Sequence, residues 1–160
     1  MQLRLMHPGV LVGVSLVSLV SCDAIGLKHS KVPSNSMTPT YSRGDRIWWQ
    51  ELNQDELKGL KVGEVVVYRD PSISPDPLLK RVVGLAGDVV EIRGTLLLVN
   101  GANPSAAWAT RECAKRPCDF GPVTVPPDHV FVLGDNWEMS SDSRNTGPVP
   151  RGSVVGKVVS

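Results

Sequence analysis

The chain has 160 residues, 17 Lys+Arg against 16 Asp+Glu for a formal charge of +1, and a hydrophobic fraction of 41%. A balance this close to neutral excludes a nucleic-acid binder that works by neutralising phosphates, and the apolar fraction excludes a disordered chain. With 15 glycines, 13 prolines and valine dominating the apolar set, the composition points to one turn-rich, mostly β domain.

The first element is the N-terminal apolar stretch. Residues 5–22 carry no Asp, Glu, Lys or Arg, close to the ~20 residues that span hydrocarbon and also close to a removable signal. The reading is a membrane-anchor helix, with residues 1–31 as anchor and linker. Leu19-Val20-Ser21-Cys22 is similar to a lipoprotein cleavage box, so a lipidated Cys22 is the alternative. Either way residues 23–160 are exported. Residues 32–160 then form the extracytoplasmic domain.

Further along, β-type apolar runs alternate with turn residues. The runs are Asp45–Trp49, Glu64–Tyr68, Leu78–Val83, Val89–Arg93, Leu96–Val99, Val130–Leu133 and Val154–Val159. Their spacing suits antiparallel sheets. Arg93-Gly94-Thr95 reads as a tight hairpin turn and Asn100-Gly101 as a turn with positive φ. Residues 51–60 hold at most one short helix. Residues 101–122 read as an excursion from the core that contains Cys113 and Cys118. Three cysteines in this arrangement give no metal site. The pair is a disulfide candidate in an exported domain and two reduced thiols otherwise. In the strand over 45–49, one of Trp48 and Trp49 is expected to face inward and the other outward.

Three segments carry chemistry. In PSNSMTPT, residues 33–40, two prolines hold a Ser-rich backbone out of helix, which presents hydroxyls or simply links the anchor to the domain. In LLKRVVGLAGDVV, residues 78–90, strand alternation puts Leu78 and Val82 on the face of Lys80. An amine among apolar neighbours loses hydration and its pKa falls, although most strand lysines reach solvent instead. In VFVLGDNWEMSSDSR, residues 130–144, a strand runs into a loop rich in capping side chains, where Asp142 and Arg144 are placed to brace one another. Of the histidines only His129 lies inside the domain, at a strand start, a poor position for a catalytic base. A serine hydrolase here would have to use a desolvated lysine.

These three segments, in this order behind an apolar N-terminus, resemble the diagnostic boxes of bacterial type I signal peptidases over about residues 32–158. The resemblance implies a fold of antiparallel β-sheets with a coiled, barrel-like core. It implies Ser36 as nucleophile, Lys80 as general base, and an oxyanion hole of the Ser36 amide and the Ser34 hydroxyl. Ser140 corresponds to the serine that orients the lysine, Asp142 and Arg144 to a structural ion pair, and Asp135 and Asn136 to residues that hold the loop. The chain departs from the family pattern at Trp137, Glu138 and Met139 and at Ala86, none of them a catalytic position. The implied activity is removal of signal peptides from exported precursors with small residues before the cleaved bond. Membrane lipid is the second partner, with no cofactor, metal or nucleic acid. A specialised conjugation or pilin-maturation peptidase is the alternative within the class. A non-catalytic anchored β-domain used for binding is the alternative outside it.

Overall fold

The computed structural model describes residues 26–112 and 118–159. Ten strands carry it: β1 Leu27–Lys31, β2 Arg46–Glu51, β3 Val65–Tyr68, β4 Leu78–Leu85, β5 Val89–Arg93, β6 Leu96–Val99, β7 Phe120–Thr124, β8 His129–Leu133, β9 Val149–Pro150 and β10 Val154–Val158. Two short helices join them, α1 Gln54–Lys58 and α2 Ser143–Thr146. The larger sheet runs β1-β2-β10-β3-β4-β8-β9 and the smaller β6-β5-β7, with every pairing antiparallel. Strands β1 and β9 stand at the two ends of the larger ladder, which is therefore open.

Sequence explains the layout locally. The unbroken Val-Val-Val-Tyr of β3 is buried at all four positions, as a central strand covered on both faces demands. One face of the larger sheet packs Val66, Tyr68, Val82, Val130 and Val132 with Leu57 and Leu60 of the α1 region. The other packs Ile47, Trp49, Val65, Val67 and Leu79 with Val32 and Met37. The smaller sheet closes a third cluster, in which Val90, Ile92 and Leu97 meet Val83, Phe131 and Leu133. Helix α1 starts where Asn53 and Glu56 form a capping box. The β5–β6 hairpin turns at Gly94, with φ +57°, and Asn100 and Gly101 follow at +53° and +79°, the left-handed backbone such turns require.

Two expectations change, and two others fall outside the described residues. Residues 27–31, read as linker, form strand β1 and pair with β2 throughout. Its LKHSK sequence is an edge strand with only Leu27 and Ser30 half-buried, so it lacks the apolar alternation that announces a strand. The 101–122 excursion runs into β7, whose Gly121-Pro122 breaks the β signal although the strand pairs with β5. The expected anchor over residues 5–22 lies outside the described residues, and among the described residues no helix is long and apolar enough to cross a membrane. The expected partner Cys113 also lies outside them, while Cys118 is disulfide-bonded.

Candidate active site

The site forms where β4 runs on beside the end of β8. Because β3 and β4 pair as Val66↔Lys80 and Tyr68↔Leu78, Lys80 shares a face with Leu78 and Val82, and Arg81 points to the other. The chain after β1 makes a tight excursion before β2. Backbone bonds from Val32 to Asp45 and from Gly44 to Val32 close its neck, and the Asn35 side chain accepts the Arg43 amide. Met37, fully buried in the core, pins the loop to the sheet. This places Ser36, 7% exposed, over Lys80, 3% exposed.

Lys80 Nζ lies 3.0 Å from Ser36 Oγ and donates to the Leu79 carbonyl at 2.9 Å. Among the described residues no carboxylate is in ion-pair contact with it. Burial therefore lowers its pKa from 10.5 to about 8, against a smaller opposing pull from Asp142. Ser34 Oγ lies 3.1 Å from Ser36 Oγ and accepts the Ser36 amide at 3.4 Å. The expected nucleophile, base and two oxyanion donors are thus contiguous, with Ser34 turned inward onto Ser36.

A frame of polar contacts surrounds them. Asp135 receives the Arg81 guanidinium through Nε at 2.8 Å and Nη2 at 2.6 Å, and Thr40 also donates to it. Arg81 further donates to the Gly63 carbonyl and stacks 5.3 Å from the Trp108 ring. The Asn136 amide donates to the Ser36 carbonyl at 3.0 Å and its side chain to Thr38 at 2.8 Å. Asp142, fully buried, accepts the Gly134 amide at 3.0 Å and the Arg144 guanidinium at 2.8 and 2.9 Å. Gly134 is obligatory, since a Cβ there would stand 2.4 Å from the Ser36 carbonyl oxygen and 2.2 Å from Ser140 Oγ. The Ser140 hydroxyl is buried beside these groups and has no hydrogen-bond partner.

Reading the sequence missed Arg81 as the partner of Asp135, and with it Thr40 and Trp108. A second cation in a strand run this apolar was the available signal, because a buried arginine demands a carboxylate. His129 stands apart from this cluster. It opens β8, four residues and about 13 Å of strand from Leu133, and its ring nitrogen bonds the Pro127 carbonyl. Trp137, a departure from the family pattern, is buried in the third cluster, whereas Met139 is 65% exposed.

Comparison with known proteins identifies the family. The model of the signal peptidase family, peptidase S26, matches residues 5–160. Thylakoidal processing peptidase 1 of Arabidopsis thaliana is 34% identical over 153 residues, 89% of this chain and 44% of that protein. Signal peptidase I of Leptolyngbya laminosa is 30% identical over 158 residues, 92% of this chain and 74% of that protein. A crystal structure of a signal peptidase I from Enterococcus faecalis V583 superposes with a TM-score of 0.53 at 29% identity, covering 63% of this chain and 97% of that one. The chain spans less than half the length of the thylakoidal relatives it matches.

Proposed function

We propose that this chain, which belongs to the signal peptidase family, peptidase S26, is a membrane-associated serine endopeptidase that removes signal peptides from exported precursor proteins. The observation that carries the reading is the 3.0 Å contact between Ser36 Oγ and a buried Lys80 amine whose pKa falls to about 8. Such an amine is neutral in a useful fraction of molecules near neutral pH and aims its lone pair at the hydroxyl it must deprotonate.

The reaction follows from that pair. Neutral Lys80 takes the Ser36 proton as Oγ attacks the scissile carbonyl. The oxyanion is met by the Ser36 amide and by the Ser34 hydroxyl once it turns outward. The lysine ammonium protonates the leaving amine, and an acyl-enzyme remains on Ser36. Lys80 then deprotonates the water that releases it. Arg81 with Asp135, and Arg144 with Asp142, keep the two loops on either side of the dyad in place, and Ser140 orients the amine. An extended precursor segment adds beside residues 31–33 and 77–79. There an apolar cleft of about 230 Å³, lined by Pro33, Ile47, Trp49, Val67 and Leu79, receives one of its side chains. Small residues are proposed before the cleaved bond, as the family resemblance implies. The uncharged residues 5–22 serve as the anchor that keeps the domain at the outer surface of a bacterial cytoplasmic membrane, where precursors emerge.

The test is cleavage of a membrane-inserted precursor by the purified full chain. Ser36→Ala and Lys80→Ala are each expected to abolish it while leaving the unfolding transition in place. Wild-type activity should rise with pH through about 8, the value to which burial brings Lys80. Full activity in either variant, or a limb near 6.5 that vanishes in His129→Ala, overturns the reading.

A further inference from the structure

The Lys80 amine has three directions available beyond its own carbon, and the structure fills two, with Ser36 Oγ and the Leu79 carbonyl. When the amine is ready to take the serine proton, its lone pair faces Ser36, so both N–H groups point elsewhere. One reaches Leu79 and the other needs an acceptor. Asp142 is not that acceptor, because its oxygens already receive the Gly134 amide, the Arg144 amide and the Arg144 guanidinium. Among the described residues two buried side-chain atoms have no hydrogen-bond partner, and both are hydroxyls: Ser140 Oγ and Tyr68 OH.

Tyr68 is fully buried at the end of β3, on the same sheet face as Lys80 and diagonal to it in the β3–β4 ladder. Diagonal neighbours of this kind lie within reach of an aromatic and a long side chain. Burial raises the Tyr68 pKa, and Asp70 and Asp142 add to that; Asp142 also acts on Lys80, so one carboxylate is in electrostatic range of both groups. A phenylalanine would fill the apolar part of this place. A buried phenol oxygen requires a partner.

We propose that Tyr68 is a positioning residue for the dyad: its hydroxyl joins that of Ser140 in accepting the Lys80 N–H that neither Ser36 nor Leu79 takes. The contact closes through a small side-chain rotation or one bridging water. It fixes the lone pair on Ser36 in the resting enzyme and supports the ammonium after proton transfer. The other charged groups around the pair are accounted for. Arg144 is held by Asp142, Lys157 by Glu64 at 2.9 Å, and Arg81 with Asp135 lies on the opposite face. The inference rests on the reading of Lys80 as general base.

Tyr68→Phe removes one oxygen and keeps the ring. In the full chain, assayed on a precursor peptide, it is expected to lower kcat about five- to tenfold, the effect of one hydrogen bond, with KM unchanged. It should also move the rising pH limb to lower pH, because an acceptor that stabilises the ammonium is lost. In combination with Ser140→Ala the loss should be smaller than the product of the single losses, as expected for two members of one network. Unchanged kcat and pH limb, together with a raised thermal midpoint, would mean that the phenol is only an unmet buried group and would overturn the proposal, as would strictly multiplicative losses. Lys80→Ala separates the two levels. If that variant cleaves, the base assignment itself falls; if it is inactive while Tyr68→Phe is silent, only the role of Tyr68 falls.

Discussion

Lys80 and Arg81 are neighbours on β4, both cationic side chains and both buried, and their surroundings are opposite. Arg81 meets a carboxylate through two N–H groups, a carbonyl and an indole face, so its charge is compensated on every side. Lys80 meets a hydroxyl and a carbonyl, and the carboxylate that acts on it, Asp142, is already paired with Arg144. Burial is the same, but the consequence is not. A compensated cation holds the fold, and an uncompensated one gives up its proton more readily, which is what the proposed base needs. The difference also matches the chemistry of the two side chains, since a guanidinium does not deprotonate in a protein and an amine does.

The largest test of this contrast is to make the two positions alike. Lys80→Arg keeps the cation and removes the base, so cleavage should fall by about 10⁴ or more, as for loss of a nucleophile-activating group. Comparison of kcat/KM with wild type checks it, and activity within tenfold would mean that position 80 supplies charge and not a lone pair. Next in size, Asp135→Ala strips Arg81 of its counter-charge and should cost about 3–5 kcal/mol of stability in urea unfolding, the usual penalty for leaving one buried partner alone.

Lys80 should respond with the opposite sign. Below about pH 8 the folded protein carries a buried ammonium that the unfolded chain holds in water. Stability is therefore lower there, climbs between 8 and 10.5, where only the unfolded chain still binds the proton, and is full above 10.5. Lys80→Met is accordingly expected to stabilise the domain by up to about 3 kcal/mol at pH 6 and by almost nothing at pH 11. Equal effects at both pH values would show that the gain comes from packing alone.

The legibility of these features in the sequence follows the same physics. The strands that announce themselves, β3, β4 and β8, are central and apolar; of the proposed dyad, Lys80 is the one lysine in such a run and Ser36 lies in the Pro- and Ser-rich stretch 33–40, where local pattern and chemistry coincide. Strand β1 stays hidden because an edge strand needs no apolar alternation. The Arg81–Asp135 pair spans 54 residues and Thr40–Asp135 spans 95, separations at which no local spacing signals a contact. Tyr68 reads in sequence as one more strand aromatic. Only the β3–β4 register, Tyr68↔Leu78 beside Val66↔Lys80, sets it diagonal to Lys80 on one sheet face.

The contrast between adjacent residues recurs on β2, at smaller amplitude. Trp49 is buried against Gly156 and donates to Ser30 Oγ at 3.0 Å, whereas Trp48 is 46% exposed, edge-on to His29 at 5.4 Å. Strand alternation separates them, so Trp49→Ala should destabilise the core by about 3–5 kcal/mol while Trp48→Ala stays within about 0.5 kcal/mol of wild type. What Trp48 offers is an exposed indole on the strand next to β1, the first element of the described residues. Indoles favour the membrane–water interface, where the ring meets lipid and the N–H meets water. On the proposed placement of the domain at that surface, Trp48→Ala should slow cleavage of a bilayer-held precursor about threefold and leave a soluble peptide substrate untouched. Measuring both substrates side by side decides it, because equal slowing on the two would place the indole in the substrate path instead of the lipid interface.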